Sequence, residues 1–118
     1  MKTLVIGASS KANRYSNIAM HLLDEYGHEI KALGLKEQDT DLVHIDAGFP
    51  DYEGIDTVTL YVGPRNQTAF IPYVVDLKPR RVIFNPGTEN PDFYAALEQA
   101  GIDYEVACTL VMLRTDQY

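Results

Sequence analysis

The chain has 118 residues, 46% hydrophobic and 23% charged, a composition that excludes a disordered or fibrous protein and leaves room for one domain around one core. Its net charge of −7 argues against broad nucleic-acid binding, which needs a basic surface, so an anionic ligand would be captured locally by a few of the ten Lys and Arg side chains. The apolar run after Lys2 is too short for a signal peptide or a membrane span, the single Cys108 has no disulfide partner, and no Cys/His cluster has metal-ligand spacing; the expected location is the cytoplasm.

The first predicted strand, Thr3–Ile6, is short and apolar on both faces, as a buried parallel strand should be. It runs into Gly7-Ala8-Ser9-Ser10. A helix follows, in which Ala19, Leu22, Leu23 and Tyr26 recur at helical spacing, with Ser16 as the expected N-cap and Gly27 at its end. His28–Leu33 then reads as a second strand, completing a βαβ unit.

Leu42–Ile45 reads as a short third strand, and Thr57–Val62 as a clearer one, closed by Gly63-Pro64. Gln67–Leu77 is expected to be a crossover helix with Ile71, Val74 and Val75 inward; Pro72 either starts it or kinks it. Arg81–Phe84 is the next strand, closed by Asn85-Pro86-Gly87. The following helix is capped by Asn90, has Pro91 in its first turn and Phe93, Ala96, Leu97 and Ala100 as its apolar stripe, and ends at Gly101. Tyr104–Ala107 is the last predicted strand, and Cys108–Leu113 forms a short helix or turn on the sheet. Strands alternating with helices imply an α/β fold in three layers, a doubly wound parallel sheet of about five to six strands. In such a sheet ligands bind at the carboxyl ends of the strands, where the strand order reverses.

Three of those ends attract attention. After the first strand, Gly7 permits a tight turn and Ala8 a close approach of backbone to ligand. Ser9, Ser10 and Ser16 add hydroxyls, and Lys11 and Arg14 add charge, ahead of a helix start with free N–H groups. The segment is neither G-x-G-x-x-G nor a Walker A loop, and an ordinary polar loop would also account for it. After the second strand, Leu33-Gly34-Leu35-Lys36 lacks the carboxylate that holds the ribose in an NAD site. An apolar residue beside Lys36 suits an adenine with a phosphorylated ribose, in coenzyme A or NADP alike, against the alternative of a solvated lysine. After Arg81–Phe84, the turn Asn85-Pro86-Gly87-Thr88 either faces a ligand or only feeds the Asn90 cap.

Cys108 follows the last strand with no base or cation nearby in sequence to activate it, and reads as an unreactive, buried or pocket-lining thiol. No Ser/His/Asp set and no carboxylate pair stands out, so no catalytic residue is assigned.

The segments Val5–Asn17 (with its Gly-Ala-Ser-Ser and Tyr-Ser-Asn), Val82–Pro91 and Glu105–Leu113 together resemble the stand-alone CoA-binding domain family, related to the N-terminal domain of the succinyl-CoA synthetase α subunit. The resemblance implies a Rossmann-like fold with CoA across the strand tips. It implies Gly7, Ala8, Ser9, Ser10, Lys11, Arg14, Ser16 and Asn17 near the phosphates, Leu35 and Lys36 at the adenosine end, and Tyr61 and Val62 along the next tip. Asn85, Pro86, Gly87 and Cys108 would lie towards the pantetheine arm. The synthetases use a phosphorylated histidine from a second domain, which this length does not accommodate, so the resemblance implies binding rather than ligation.

The expectation is a non-catalytic CoA or acyl-CoA binding protein, acting as carrier, sensor or partner subunit, with a small-molecule nucleotide ligand and a protein partner left open. Its alternatives are an NADP-dependent oxidoreductase using Tyr61 or Tyr15 as proton donor, and an interaction module with a vestigial pocket.

Overall fold

The computed structural model describes residues 1–118. In chain order the elements are β1 (Lys2–Ile6), α1 (Tyr15–Glu25), β2 (Glu29–Leu33), β3 (Gln38–Asp39), β4 (His44–Asp46), β5 (Thr57–Leu60), α2 (Phe70–Leu77), β6 (Arg81–Phe84), α3 (Pro91–Ala100), β7 (Asp103–Val106) and α4 (Thr109–Arg114). They build one seven-stranded sheet in the order β3-β4-β2-β1-β5-β6-β7. Every neighbouring pair is parallel except the short β3–β4 pair at one edge. The chain winds outward from β1 through β2 to β4, then returns to β5 on the other side of β1. The strand order therefore reverses between β1 and β5, where Thr3 pairs with both Ile30 and Thr57.

Alternation along β1 sends Leu4 and Ile6 to one face and Val5 to the other. The first face meets Val58, Leu60, Phe84, Phe93 and Leu97 in the larger core, covered by α2 and α3; Phe84 sits edge-on to both Phe93 and Tyr94. The second face packs Val5 with Met20, Leu23, Ala32, Ile45 and Leu113 under α1 and α4. The result is the three-layer Rossmann-like arrangement expected of the alternating elements.

The structure differs from the sequence expectation in local detail. A seventh strand, β3, arises because Gln38 and Asp39 fold back to pair antiparallel with Ile45 and His44. Two paired residues leave no alternating pattern to read. The third expected strand is shifted, to His44–Asp46, and the last one starts at Asp103. Ser16 does not cap α1. A turn closed by Arg14 N–H on Lys11 O brings Arg14 to the cap position, where its carbonyl accepts the Ile18 N–H, and Ser16 is drawn into the buried first turn. Tyr26, expected inward, is exposed past the helix end; Ala100 is exposed and Ala96 half-buried at the edge of the α3 stripe. Gly27 (φ 83°) ends α1, with His28 N–H on Leu23 O and Gly27 N–H on Asp24 O.

Pro72 does not kink α2. It is the third residue of the helix, in the first turn, where its missing N–H removes no intrahelical bond. Pro64–Asn66 forms a separate 3₁₀ turn before it. No helix is long and apolar enough to cross a membrane.

Candidate functional site

The tips of β1, β2 and β5 are locked together by main chain. Gly7 (φ 92°) and Ala8 both donate to Leu33 O, at 2.9 and 3.0 Å, and Tyr61 N–H donates to Ile6 O at 2.8 Å. A Cβ at Gly7 would stand 2.9 Å from the Tyr61 carbonyl carbon, so only glycine lets the loop cross here. Gly34 has the same function at the next tip, since a Cβ there would lie 2.8 Å from Ala8 O. The loop after Gly7 is then held by its own side chains. Asn17 Nδ2 donates to Ser9 O, Lys11 N–H to Ser9 Oγ, and Ser10 Oγ to Gln38 Oε1.

The tips of β5 and β6 are joined by two buried amides. Asn85 donates through Nδ2 to Thr59 Oγ1 and Leu60 O, while its Oδ1 accepts the Thr109 N–H at the start of α4. Gln67, fully buried, donates to Val62 O and Thr88 O and accepts from Asn90 Nδ2. These amides satisfy main-chain groups that a buried turn would otherwise strand.

Between these fixed tips lies an open cleft of about 240 Å³. The β1–α1 segment contributes Gly7, Ser9, Arg14, Tyr15 and Ser16; the β5 end contributes Tyr61 and Gly63; the β6 end contributes Pro86, Gly87 and Thr88. Seven of the expected site residues thus converge: Gly7, Ser9, Arg14, Ser16, Tyr61, Pro86 and Gly87. Ala8, Asn17 and Asn85 lie buried beneath, and the Asn85 side chain faces inward rather than towards a ligand. Ser10, Lys11, Leu35, Lys36, Val62 and Cys108 do not line the cleft; Lys11, Leu35 and Lys36 are exposed on neighbouring tips and Cys108 is half-buried before α4. Tyr15, Gly63 and Thr88 line the cleft too; Gly63 and Thr88 belong to strand-end turns that the sequence singles out, but none of the three was named as a cofactor-binding residue. Each is adjacent in sequence to a chosen residue, and that adjacency was the available signal.

Charge is distributed unevenly over the molecule. The ion-paired Lys and Arg side chains are Lys2 with Glu29, Arg80 with Asp56 and Arg81 with Glu105, all at the amino ends of the strands. At the carboxyl ends, Lys11, Arg14, Lys36 and Arg65 have no carboxylate partner, and neither do Lys31, Lys78 and Arg114 elsewhere. A Cβ at Gly63 or Gly87 would meet nothing, so bare main chain faces the cleft. The Gly87 N–H donates to a side-chain carboxylate, Glu89 Oε1, at 2.8 Å. The Tyr61 hydroxyl is buried with no hydrogen-bond partner, and burial pushes its pKa well above the usual phenol range. Such a phenol is a poor general acid near neutral pH. The unpaired Arg14, the hydroxyls and the open main chain fit a phosphate-bearing ligand.

Comparison with known proteins bears on the family and the fold. A family described as CoA binding domain matches residues 1–114. Among solved structures, a protein titled only as uncharacterized is 44% identical with a TM-score of 0.95, over 99% of this chain and 97% of that one. A protein from Thermus thermophilus is 24% identical with a TM-score of 0.84, over 99% and 90% of the two chains. A hypothetical protein from Pyrococcus horikoshii OT3 is 22% identical with a TM-score of 0.86, over 96% and 81%. The last two likenesses establish the fold alone. A search of curated proteins gives no match.

Proposed function

The chain belongs to the family of CoA binding domains, and we propose that it holds CoA or an acyl-CoA at the carboxyl ends of its strands as a non-catalytic carrier, sensor or partner subunit. The observation that carries this reading is Arg14. It lines the cleft beside Ser9, Ser16 and the bare main chain of Gly63 and Gly87, without a carboxylate partner, in a chain of net charge −7. A guanidinium in that setting suits the CoA pyrophosphate, which it can engage with two parallel N–H donors, and the first turn of α1 adds the positive end of a helix dipole.

Along the rim, Lys36 with Leu35 is assigned to the 3′-phosphate and adenine, with Lys11 and Ser10 between them and the cleft. Tyr61, Val62, Pro86 and Gly87 are assigned to the pantetheine side, with Cys108 beyond. CoA supplies a thiol that carries acyl groups. What this chain's residues do is bind and orient it. A phenol held up by burial at Tyr61 speaks against a proton-transfer step there.

The test is a thermal-shift titration with CoA, acetyl-CoA, dephospho-CoA, NADP and NAD. CoA at 100 times its dissociation constant should stabilise the protein by about 2.7 kcal/mol, and dephospho-CoA should bind more weakly. Stabilisation by NADP alone would turn the reading to a nicotinamide enzyme, and none by any nucleotide to an interaction module.

A further inference from the structure

The connection from β2 to β4 carries a charged cluster that the sequence scatters over ten positions. His44 Nδ1 lies 2.6 Å from Asp39 Oδ1, and its Nε2 lies 3.3 Å from Glu37 Oε1 and 3.7 Å from Asp46 Oδ1. Ionised carboxylates only accept hydrogen bonds, so a ring that bonds to one at each nitrogen donates from both and is an imidazolium. Asp39 and Glu37 hold its pKa above 6.5, in agreement with that geometry. The other charged groups near the ring's elements are engaged elsewhere or unpaired. Asp41, in the β3–β4 turn, faces His21 of α1 at 3.9 Å; Tyr52 donates to the second oxygen of Asp46; Lys31, one step before the Ala32–Ile45 pair on β2, makes no ion pair with the cluster.

β3 is short, and the turn after it is closed by Thr40, whose N–H and hydroxyl both donate to Val43 O. The strand has two residues and pairs only with β4, through Gln38 with Ile45 and Asp39 with His44. Yet it touches the site from both sides. Gln38 Oε1 accepts the Ser10 hydroxyl of the β1–α1 loop, Lys36 stands two residues before Gln38, and Gly34 N–H donates to Asp46 O. A change in how firmly β3 sits on β4 therefore reaches Ser10 and Lys36 together.

We propose that His44 is a proton-operated clasp: charged, it pins the Glu37–Asp39 segment to β4 and holds Lys36 and Ser10 in place for the adenosine-phosphate end of CoA. The inference rests on the CoA reading above and adds a pH dependence to it. The direction follows from the raised pKa. The clasp is fully present below about pH 6.5 and is lost as pH rises through the folded-state pKa of His44, when one ring nitrogen turns its lone pair to a carboxylate.

The experiment compares the full chain with His44→Gln, which cannot carry the charge. CoA affinity is measured by calorimetry from pH 6 to pH 9, and amide hydrogen exchange is followed at Gln38 and Thr40, whose positions alternate onto the hydrogen-bonded side of the β3–β4 pair. The ratio of wild-type to variant affinity cancels the titration of the CoA phosphate itself. That ratio should be about two- to five-fold at pH 6, the size exposed ion pairs deliver, and should fall to near one by pH 9. Amide protection at Gln38 and Thr40, relative to the variant, should fall in parallel. A pH-independent affinity ratio, with CoA bound by both proteins, overturns the coupling. If neither protein binds CoA, the CoA reading itself fails; exchange then decides the clasp alone, and a flat protection ratio rejects it.

Discussion

Asn85 Oδ1 accepts the main-chain N–H of Thr109 at 2.9 Å, across 24 residues of sequence, inside a buried junction of β5, β6 and α4. The same side chain donates to Thr59 Oγ1 and Leu60 O, and Thr59 Oγ1 is also 2.8 Å from Thr109 Oγ1. Replacing Asn85 with Ala strands a buried N–H and a buried carbonyl together. The expected loss is about 2–3 kcal/mol of unfolding free energy, read from urea denaturation. A loss within 0.5 kcal/mol, the usual range for surface changes, would mean the junction is not the tie described.

Gly7 and Gly87 share a φ of 92°, but their surroundings differ. A Cβ at Gly87 meets nothing, whereas one at Gly7 meets the main chain of Tyr61 at 2.9 Å. Gly87→Ala should therefore cost only the left-handed strain, about 1 kcal/mol. Gly7→Ala should cost about 1–3 kcal/mol more, because neither strand tip can give way without losing its ladder bond. Equal urea midpoints for the two variants would show that the β1 and β5 tips are not locked at this crossing.

The contrast between local and distant signals explains how much was legible in advance. Asn90, Pro91 and Gly101 mark α3 within its own sequence, and the structure has Asn90 Oδ1 accepting from Asp92 N–H and Gly101 at φ 73°. β1 and β6 announce themselves as unbroken apolar runs because both faces are buried. Ser16 misled as a cap because its neighbours, not its own propensity, decide where the Lys11–Arg14 turn closes. Gln67 lies 21 residues from the carbonyl of Thr88 that it bonds, and looks like any polar helix-start residue until β5 and β6 are placed side by side. The Gly7 loop was legible from its residue types as a tight turn at the β1 tip, next to the cleft. Which of its members face the cleft depends on the turn, so Lys11 and Ser10 point elsewhere while Tyr15 lines it.

At the amino ends of the strands, Asp56 receives Arg80 at 2.9 Å and the Thr57 hydroxyl at 2.7 Å. The Arg80 bond, partly offset by burial, draws its pKa below 3.8. A depressed carboxylate contributes stability that is present above its unfolded pKa and lost as pH falls through the folded one. The stability difference between wild type and Asp56→Asn should thus be constant above about pH 4 and shrink below it. Its size should stay under about 1 kcal/mol, since the pair is largely solvent-screened. Urea midpoints at a series of pH values measure it. A difference that grows on acidification would reverse the assigned sign.

Arg14 is the residue on which the CoA reading can be tested most sharply. It is exposed, makes no ion pair, and occupies the cap position of α1 without a side-chain cap bond, so removing the side chain should leave the fold intact. Arg14→Ala should keep the wild-type urea midpoint within about 0.5 kcal/mol. If the guanidinium grips the pyrophosphate, CoA affinity should nevertheless fall by about 1.5–3 kcal/mol, roughly 10- to 150-fold, by calorimetry. Arg14→Lys should recover only part of that loss, because a single ammonium replaces the charge but not the two-pronged geometry. Dephospho-CoA should lose as much as CoA in the Ala variant, since the pyrophosphate is common to both. An Arg14→Ala protein that binds CoA as tightly as wild type would remove Arg14 from the site and, with it, the main support for placing the pyrophosphate in this cleft.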